Sequence, residues 1–278
     1  MITFPNAKIN LGLNIVEKRD DGYHNIETVF YPVGWKDILE IIPAVRKLNR
    51  KRDVLFHSSG IRITGGVKKN TCIKAYELLK EKYTLPPIEM YLHKVIPAGA
   101  GLGGGSADAA FTLMTLNKLF SLQIPESEME KLASLIGADC AFFIRNKPVY
   151  AHGIGDVFEE IGVDLSGYSI VIVKPDVSVS TSTAYKNVIP KKPEIGIREV
   201  IQQPVSEWSK FLVNDFESTV FKKFPAIKHI KEQLYDAGAL YASMSGSGSA
   251  VFGIFDEQPN LSGKFGGYHV WQQQQPER

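Results

Sequence analysis

Cysteine and long apolar runs are both scarce in this chain. Its 278 residues include two cysteines, Cys72 and Cys140, without C-x-x-C spacing and without a histidine close to either, so a zinc site is not indicated. No stretch approaches 18 consecutive apolar residues, and the N-terminus lacks the basic start and long apolar core of a secretory signal. We therefore expect reduced, structural thiols, no membrane contact and a cytoplasmic location.

An excess of charge of one sign is missing as well. Lysine and arginine together number 32 and aspartate and glutamate 30, and a net charge of +2 is too small to indicate nucleic acid as a partner. The basic run from Arg46 to Arg52 has no interleaved aromatic residues, so we predict a solvated loop there. The polar repeat from Gln272 to Gln275 predicts a frayed end. With 44% hydrophobic residues, the chain can bury the cores of two modest domains.

Glycine, in contrast, is concentrated in one stretch around which the rest of the chain is organised. Between Pro97 and Ser106, five glycines run directly into an apolar segment, Phe111 to Phe120, that has helical spacing. Glycine permits backbone turns that bring N–H groups inward, and a helix start adds unpaired N–H groups and about half a positive charge. The combination predicts an anion-binding site.

Three more familiar interpretations fit this stretch less well. Residues 99–104 match the dinucleotide motif G-x-G-x-x-G once, but the acid about 20 residues further on, Glu126, is reached through an apolar helix with no strand between. A Walker A loop needs a lysine before its final serine, and here Gly105 precedes Ser106. A flexible linker would not continue into an amphipathic helix. The pattern therefore favours a phosphate loop of another type.

Periodicity along the chain predicts an α+β protein with two domains, no internal repeat and no long linker. The predicted strands are Ala7 to Ile15, Tyr23 to Val33, Asp37 to Ile42, Ile88 to Ile96, Tyr150 to His152, Val157 to Ile161, Tyr168 to Lys174, Leu240 to Met244 and Ala250 to Phe255. The predicted helices are Thr71 to Lys82 with Asn70 as its cap, the segment after the glycine loop, Glu126 to Ile136, a short helix capped near Ser180 or Thr181, Ile197 to Gln203, Ser206 to Phe224 and Ala226 to Ala237.

Three motifs, in the expected order, resemble those of the GHMP small-molecule kinases. Pro5 to Gly12 resembles the N-terminal motif of that family, Pro97 to Ala110 its central glycine motif, and Ser245 to Phe252 its C-terminal glycine motif. The resemblance implies the two-domain GHMP kinase fold, with an N-terminal ATP-binding domain over 1–162 and a C-terminal ferredoxin-like α/β-layer domain over 163–278. The active site would lie in the cleft between them. The region from Arg46 to Gly66 follows no pattern of the family.

The same resemblance implies ATP and magnesium as cofactors. The residues expected to bind ATP are those of the central loop and two that precede it: Asn70, Lys94, Pro97, Ala98, Gly99, Ala100, Gly101, Leu102, Gly103, Gly104, Gly105 and Ser106. The hydroxyl of Ser106, at the helix start, is placed to reach the magnesium ion or a phosphate oxygen.

Lys8 and Asp139 are the candidate catalytic residues. From the pattern alone, Lys8 lies with Asn10 and Asn14 on the polar face of a half-buried strand, which fits solvent exposure equally well. Asp139 fits the N-cap of a short helical turn. The resemblance implies that Lys8 stabilises the transferred phosphoryl group and that Asp139 orients, or takes the proton from, the attacking hydroxyl.

Further similarity, at Asp21 to His24 and Asn214 to Glu217, is to the branch of the family that phosphorylates a cytidine-diphosphate-linked methylerythritol. It implies that this small molecule is bound by Asn10, Tyr23, His24, Asp139 and Tyr185, with aromatic rings on the faces of the cytosine and His24 at its edge. Without the family, ordinary surface and core aromatics explain these positions as well. The alternatives are a mevalonate-type or homoserine-type kinase and a member that binds its ligand without catalysis. We expect a monomer or a weak homodimer.

Overall fold

The computed structural model describes residues 1–44, 53–63, 66, 70–186 and 188–273, so the basic run from Arg46 to Arg52 lies outside the described residues. The chain forms two compact units that are each discontinuous in sequence. The first comprises residues 1–7, 34–98 and 103–147, and the second comprises residues 8–33, 99–102 and 148 onward. A domain boundary between residues 162 and 163 stays a prediction. Among the helices of the described residues, none is both long and apolar enough to cross a membrane.

The secondary structure mixes strands and helices throughout, and the predicted α+β class is confirmed. The strands are β1 (Ile2–Thr3), β2 (Asn6–Lys18), β3 (His24–Lys36), β4 (Ile38–Pro43), β5 (Val54–Gly60), β6 (Ile88–Lys94), β7 (Val149–His152), β8 (Val157–Glu160), β9 (Ser169–Lys174), β10 (Tyr241–Met244), β11 (Val251–Phe255) and β12 (His269–Gln272). The α-helices are α1 (Thr71–Lys82), α2 (Gly104–Leu119), α3 (Glu126–Ile136), α4 (Phe142–Arg145), α5 (Thr181–Tyr185), α6 (Ile197–Val200), α7 (Val205–Phe211), α8 (Glu217–Lys223) and α9 (Pro225–Asp236).

The first unit is built on a four-stranded sheet in the order β1-β4-β6-β5. The strand β6 alternates buried and more exposed residues, which gives the sheet one buried face. The helices α1, α2 and α3 pack against one another. A 3₁₀ turn, Ala138–Cys140, follows α3 and carries Asp139. In this unit, β6 leads into the glycine loop and α2 leads out of it.

The second unit contains two further sheets, with strand orders β2-β3-β7-β8 and β10-β11-β9-β12. The strand β9 is buried along its whole length, as expected for a run of β-branched residues at the centre of a sheet. The helix α9 begins at Pro225 and packs on β10 and β11. Its buried residues Ile227, Ile230 and Leu234 share one face because they recur at helical spacing.

The bounds predicted for α1 and α3 are confirmed, but the predicted helix from Ser206 to Phe224 is wrong. Two helices, α7 and α8, stand there instead. The chain leaves the helical conformation at Leu212, which is extended, and the carbonyl oxygen of Val213 accepts a hydrogen bond from the N–H of Leu13 in β2 at 2.8 Å. The buried Asn214 side chain also donates to the carbonyl oxygens of Met244 and Gly246. These tertiary bonds replace the helical ones.

Two other expectations need correction. The strand β2 is not half-buried, since Asn6 to Ile15 is buried on both faces, including the polar residues at positions 8, 10 and 14. The polar tail is not wholly frayed, because Gln272 lies in β12, which pairs with β9, and the N–H of Gln273 donates to the carbonyl oxygen of Ile170. The rest of the tail lies outside the described residues.

Candidate functional site

The glycine loop between β6 and α2 depends on backbone angles that favour glycine. Gly99, Gly101 and Gly103 have φ values of +62°, +76° and +69°. A Cβ atom on Gly101 would lie 1.9 Å from the carbonyl oxygen of Ser245, so no side chain fits at this position. A Cβ atom on Gly99 would meet no atom within 4 Å, so the space beside it is open. The loop is therefore tightly held on one side and open on the other.

In the glycine loop, the carbonyl groups and the N–H groups differ in their hydrogen bonding. The carbonyl oxygens of Ala100, Gly101 and Leu102 accept hydrogen bonds from the N–H of Ala250, the hydroxyl of Ser245 and the N–H of Lys8. Farther along, the carbonyl oxygen of Gly105 accepts one from the Thr71 hydroxyl at 2.7 Å. Within the described residues, no N–H group from position 101 to position 106 donates a hydrogen bond.

Unsatisfied N–H groups in a turn that ends at a helix start form an anion-binding site. The helix α2 adds the positive end of its dipole at the same point. Its first turn contains no acidic residue that would repel a phosphate. Within the part of the chain that the structure describes, the loop's N–H donors are thus left for a ligand, and the assignment of these residues to ATP stays a prediction.

Ser106 lies in the first turn of α2 and is linked to the turn that carries Asp139. The Ser106 side chain lies close to the thiol of Cys140, the residue after Asp139. Burial raises the pKa of that thiol to about 11, so the sulfur remains protonated at neutral pH. Asp139 itself is half-buried. Sequence reasoning assigned Cys140 only a structural role and did not foresee this link.

Lys8 is buried in β2, with an exposed fraction of 3%. Its Nζ atom donates a hydrogen bond to Oδ1 of Asn10 at 2.6 Å and lies 4.5 Å from the centre of the Phe30 ring. The Asn10 amide in turn donates to the Thr28 hydroxyl at 3.0 Å. Because the backbone N–H of Lys8 bonds to Leu102, this part of β2 runs beside the glycine loop. The chain of polar contacts gives the ammonium group a defined position inside the protein.

Lys94 and Asn70, both predicted to bind ATP, already have partners within the first unit. The Lys94 ammonium group forms ion pairs with Asp37 and with Asp108, the latter at 2.7 Å. Oδ1 of Asn70 accepts a hydrogen bond from the N–H of Cys72 and caps α1, as predicted. A role of these two residues in binding ATP stays a prediction. The pairing with Asp37 and Asp108 was missed because it depends on tertiary packing: Asp37 belongs to no motif, and Asp108, although it lies within the central glycine motif, was given no role there.

Asp108 is a weaker acid than an ordinary aspartate because it is buried beside Lys94 and Asp37. Burial, opposed by Lys94 and reinforced by the neighbouring Asp37 carboxylate, raises the pKa of Asp108 to about 7. Between pH 4 and pH 7 the folded protein holds a proton here that the unfolded chain, with an Asp pKa of about 3.9, has released. The contribution of Asp108 to the free energy of unfolding is therefore fully present below about pH 4 and is lost as the pH rises through 7.

We expect Asp108→Asn to remove this pH dependence of the free energy of unfolding. Urea unfolding of both proteins at pH 5 and pH 8 is the measurement. The wild-type protein should lose more stability than the variant between the two values. Equal losses would contradict the assignment. The groups that face Asp108 are Lys94, Asp37 and the Cys72 thiol, and all three are unchanged in the variant.

Of the three ring-bearing residues predicted to bind the substrate, two contact each other and one stands apart. The rings of His24 and Tyr185 stack at 4.9 Å between centres, with 27° between their planes, and Tyr185 meets the edge of Phe216 at 4.8 Å. Tyr23, just before β3, is 61% exposed. The structure therefore brings His24 and Tyr185 together on the core of the second unit and leaves the Tyr23 ring open to solvent.

Magnesium and nucleotide phosphates each need particular donor groups near the glycine loop. Among the described residues, no group of three His, Cys, Asp or Glu side chains is arranged to hold a metal ion. Mg²⁺ is commonly bound through one or two protein oxygens together with substrate phosphates and water, so a hydroxyl such as that of Ser106 fits. The unused N–H groups and the open space beside Gly99 fit the phosphates.

Two protein-family models match segments of this chain. The model of the GHMP kinases N terminal domain matches residues 70–147, which include the glycine loop and Asp139. The model of the GHMP kinases C terminal region matches residues 198–262.

Individual relatives match over nearly the whole length. The chain is 53% identical over 262 residues to a 4-diphosphocytidyl-2-C-methyl-D-erythritol kinase of Bacteroides fragilis, covering 94% of each protein. A crystal structure of 4-(cytidine 5'-diphospho)-2C-methyl-D-erythritol kinase superposes with a TM-score of 0.78 at 30% identity, covering 91% of this chain and 90% of that one. A homoserine kinase from Cytophaga hutchinsonii, with a TM-score of 0.64 at 19% identity over 97% and 95% of the chains, shares the fold.

Proposed function

This chain belongs to the GHMP kinase family, and from that membership we propose that it phosphorylates the 2-hydroxyl of 4-diphosphocytidyl-2-C-methyl-D-erythritol with ATP, in the non-mevalonate route to isoprenoid precursors. The resemblance and the fold predicted from the sequence are confirmed. The observation that carries the proposal is the identity of more than half of all aligned residues with a kinase of that name. The unused N–H groups of the glycine loop supply the chemistry that such a kinase needs.

The phosphates of ATP are assigned to the loop from Gly99 to Ser106. Its N–H donors and the helix dipole complement negative charge without moving during the reaction. When bound, magnesium neutralises charge that develops on the phosphate oxygens, and the Ser106 hydroxyl is the side-chain oxygen that would hold it.

Lys8 and Asp139 are proposed to act on the group that is transferred. The Lys8 ammonium group, ordered by Asn10, stabilises charge spread over the phosphoryl oxygens. A carboxylate is a far weaker base than an alkoxide, so removing the proton of an alcohol completely before transfer would cost on the order of 16 kcal/mol. Full deprotonation before transfer is therefore too costly. Asp139 instead orients the hydroxyl and takes its proton late, as the new bond forms.

The cytidine portion of the substrate is proposed to bind at Tyr23, His24 and Tyr185, with Asn10 and Asp139 nearer the reacting hydroxyl. Stacking of a base on an aromatic ring contributes about 1 to 3 kcal/mol. The 61% exposure of Tyr23 leaves a ring face available for it. The packing of Tyr185 between His24 and Phe216 holds the second ring in place.

Tyr23→Ala and Tyr185→Ala are each expected to raise the KM for the cytidine-linked substrate about tenfold, equivalent to about 1.4 kcal/mol, with little change in the KM for ATP. Tyr91→Ala is the matched control, because Tyr91 also stacks on a histidine, His57, at 4.6 Å but lies in the first unit. Its KM values should equal those of the wild-type protein. Unchanged KM values for both test variants would show that the base binds elsewhere.

An ATP-consumption assay across three acceptors tests the function as a whole. The acceptors are the cytidine-linked methylerythritol, mevalonate and homoserine, and phosphorus NMR identifies the product. Turnover of the cytidine-linked acceptor alone is expected. Preferred turnover of mevalonate or homoserine would assign the chain to another kinase of the family. Binding of ATP without transfer to any acceptor would indicate a non-catalytic member. The cytoplasmic location, the monomeric or weakly dimeric state and the absence of a nucleic-acid partner stay predictions.

A further inference from the structure

A buried ion cluster joins the two ends of the glycine loop. We use this name for Asp37, Lys94 and Asp108. Oδ1 of Asp37 accepts hydrogen bonds from the N–H groups of Val95 and Ile96, at 2.6 and 2.9 Å, which are the residues just before the loop. The Lys94 ammonium group donates to Oδ2 of Asp37 and, at 2.7 Å, to Oδ2 of Asp108. Asp108 lies in α2, just beyond the loop, so a continuous set of bonds spans its entrance and its exit.

The cluster lies directly beneath the first helical residue of the loop. A Cβ atom on Gly104 would lie 2.9 Å from a side-chain methyl carbon of Ile96 and 3.4 Å from Nζ of Lys94. The Asp37 side chain is fully buried, and those of Lys94 and Asp108 are nearly so. A change in the cluster is therefore expected to alter the position of the backbone at Gly104, which belongs to the proposed phosphate site.

The composition of the cluster is not what stability alone would favour. Burying two carboxyl groups beside one ammonium group costs more than packing apolar side chains of the same size. One oxygen, Oδ1 of Asp108, has no hydrogen-bond partner within the described residues. Such a cost is commonly met where a buried polar group fixes a geometry.

We propose that Asp37 and Asp108, acting through Lys94, are positioning residues that hold the two ends of the glycine loop at the spacing needed to bind the phosphates of ATP. This inference rests on the proposed function. It assigns the two acids no contact with the nucleotide. Their contribution is expected in nucleotide affinity, whereas a merely structural role would alter stability and leave the affinity of the folded protein unchanged.

The test compares the binding of ATP with magnesium, measured by calorimetry, among folded variants. Asp37→Asn and Asp108→Ala are expected to weaken binding about tenfold or more. Asp108→Asn keeps an acceptor for Lys94 and should recover most of the affinity. Asn117→Ala is the matched control, because Asn117 lies at the other end of α2. Its side-chain amide donates to the carbonyl oxygen of Ile124 and accepts a hydrogen bond from the N–H of the same residue. This substitution should lower the unfolding midpoint in urea and leave ATP affinity unchanged.

The outcomes separate this inference from the function on which it rests. Failure of the wild-type protein to bind ATP would overturn both. Normal binding by the wild-type protein together with normal binding by folded Asp108→Ala would overturn the inference alone, whether or not Asp37→Asn folds. Equal loss of affinity in Asn117→Ala would also overturn it, because any destabilisation of α2 would then be sufficient. A loss confined to the ion-cluster variants, with recovery in Asp108→Asn, supports it.

Discussion

Lys8→Ala is expected to lower kcat by about a hundredfold to a thousandfold, the range found when one preorganised donor is removed from a transition-state site. The ammonium group is buried, with an exposed fraction of 3%, and Asn10 orders it at 2.6 Å. An interior charge interacts more strongly with developing negative charge than an exposed one, because the surrounding dielectric constant is lower. Steady-state kinetics with saturating ATP and the cytidine-linked acceptor is the measurement.

Two further variants distinguish the effect of the Lys8 charge on activity from the effect of its packing on stability. Lys8→Met keeps an apolar chain of similar length against Phe30 and should lose as much activity as Lys8→Ala, with a smaller loss of stability. Lys18→Ala removes an exposed lysine at the far end of the same strand and should keep full activity. A folded Lys8→Met protein with wild-type kcat would show that the charge of Lys8 takes no part in transfer.

Asp139→Ala is expected to lower kcat by about a hundredfold to ten-thousandfold, the usual contribution of a positioned acid or base, with a small change in KM. The carboxylate lies in a short 3₁₀ turn, Ala138–Cys140, in which the neighbouring Cys140 lies close to Ser106 in the first turn of α2. The turn that carries Asp139 therefore packs against the helix that follows the phosphate loop. Asp164→Asn, an exposed carboxylate in a turn of the second unit, is the control and should have normal kinetics.

Combining the two substitutions tests whether Lys8 and Asp139 act as one unit. Residues that act together on one transition state have strongly non-additive effects. We therefore expect the Lys8→Ala, Asp139→Ala double variant to be little slower than the slower single variant. Losses that multiply would mean that the two residues serve independent steps, and full activity of folded Asp139→Ala would exclude its proposed role.

Local features of the site were predictable from the residues themselves. The glycine loop was recognised because left-handed backbone angles such as those of Gly99 and Gly101 favour glycine, and because apolar spacing marks the helix that follows. The bounds of α1 and α3 follow from the cap at Asn70, the helical periodicity and the stop at Gly137. In each case the determining interactions lie within a few residues of one another.

Features set by distant partners were not predictable in this way. The extended segment after α7 exists because Val213 and Asn214 bond to strands far away in the sequence, which overrides a helical pattern. The missed strand β5 is held by its parallel pairing with β6, and its own residues carry little apolar alternation.

The sequence by itself determined that a glycine-rich turn of the kind that binds anions precedes a helix, because turn angles, caps and periodicity are local properties. Lys8 and Asp139 were singled out through the resemblance to the GHMP kinases. Only the tertiary structure decided that the polar face of β2 is buried and that Asp37, Lys94 and Asp108 meet beneath Gly104. It also decided that carbonyl groups of the loop accept hydrogen bonds, whereas its N–H groups from position 101 to 106 donate none to the described residues. The reason is that burial and pairing depend on which distant segments pack together, and no short-range pattern records that choice.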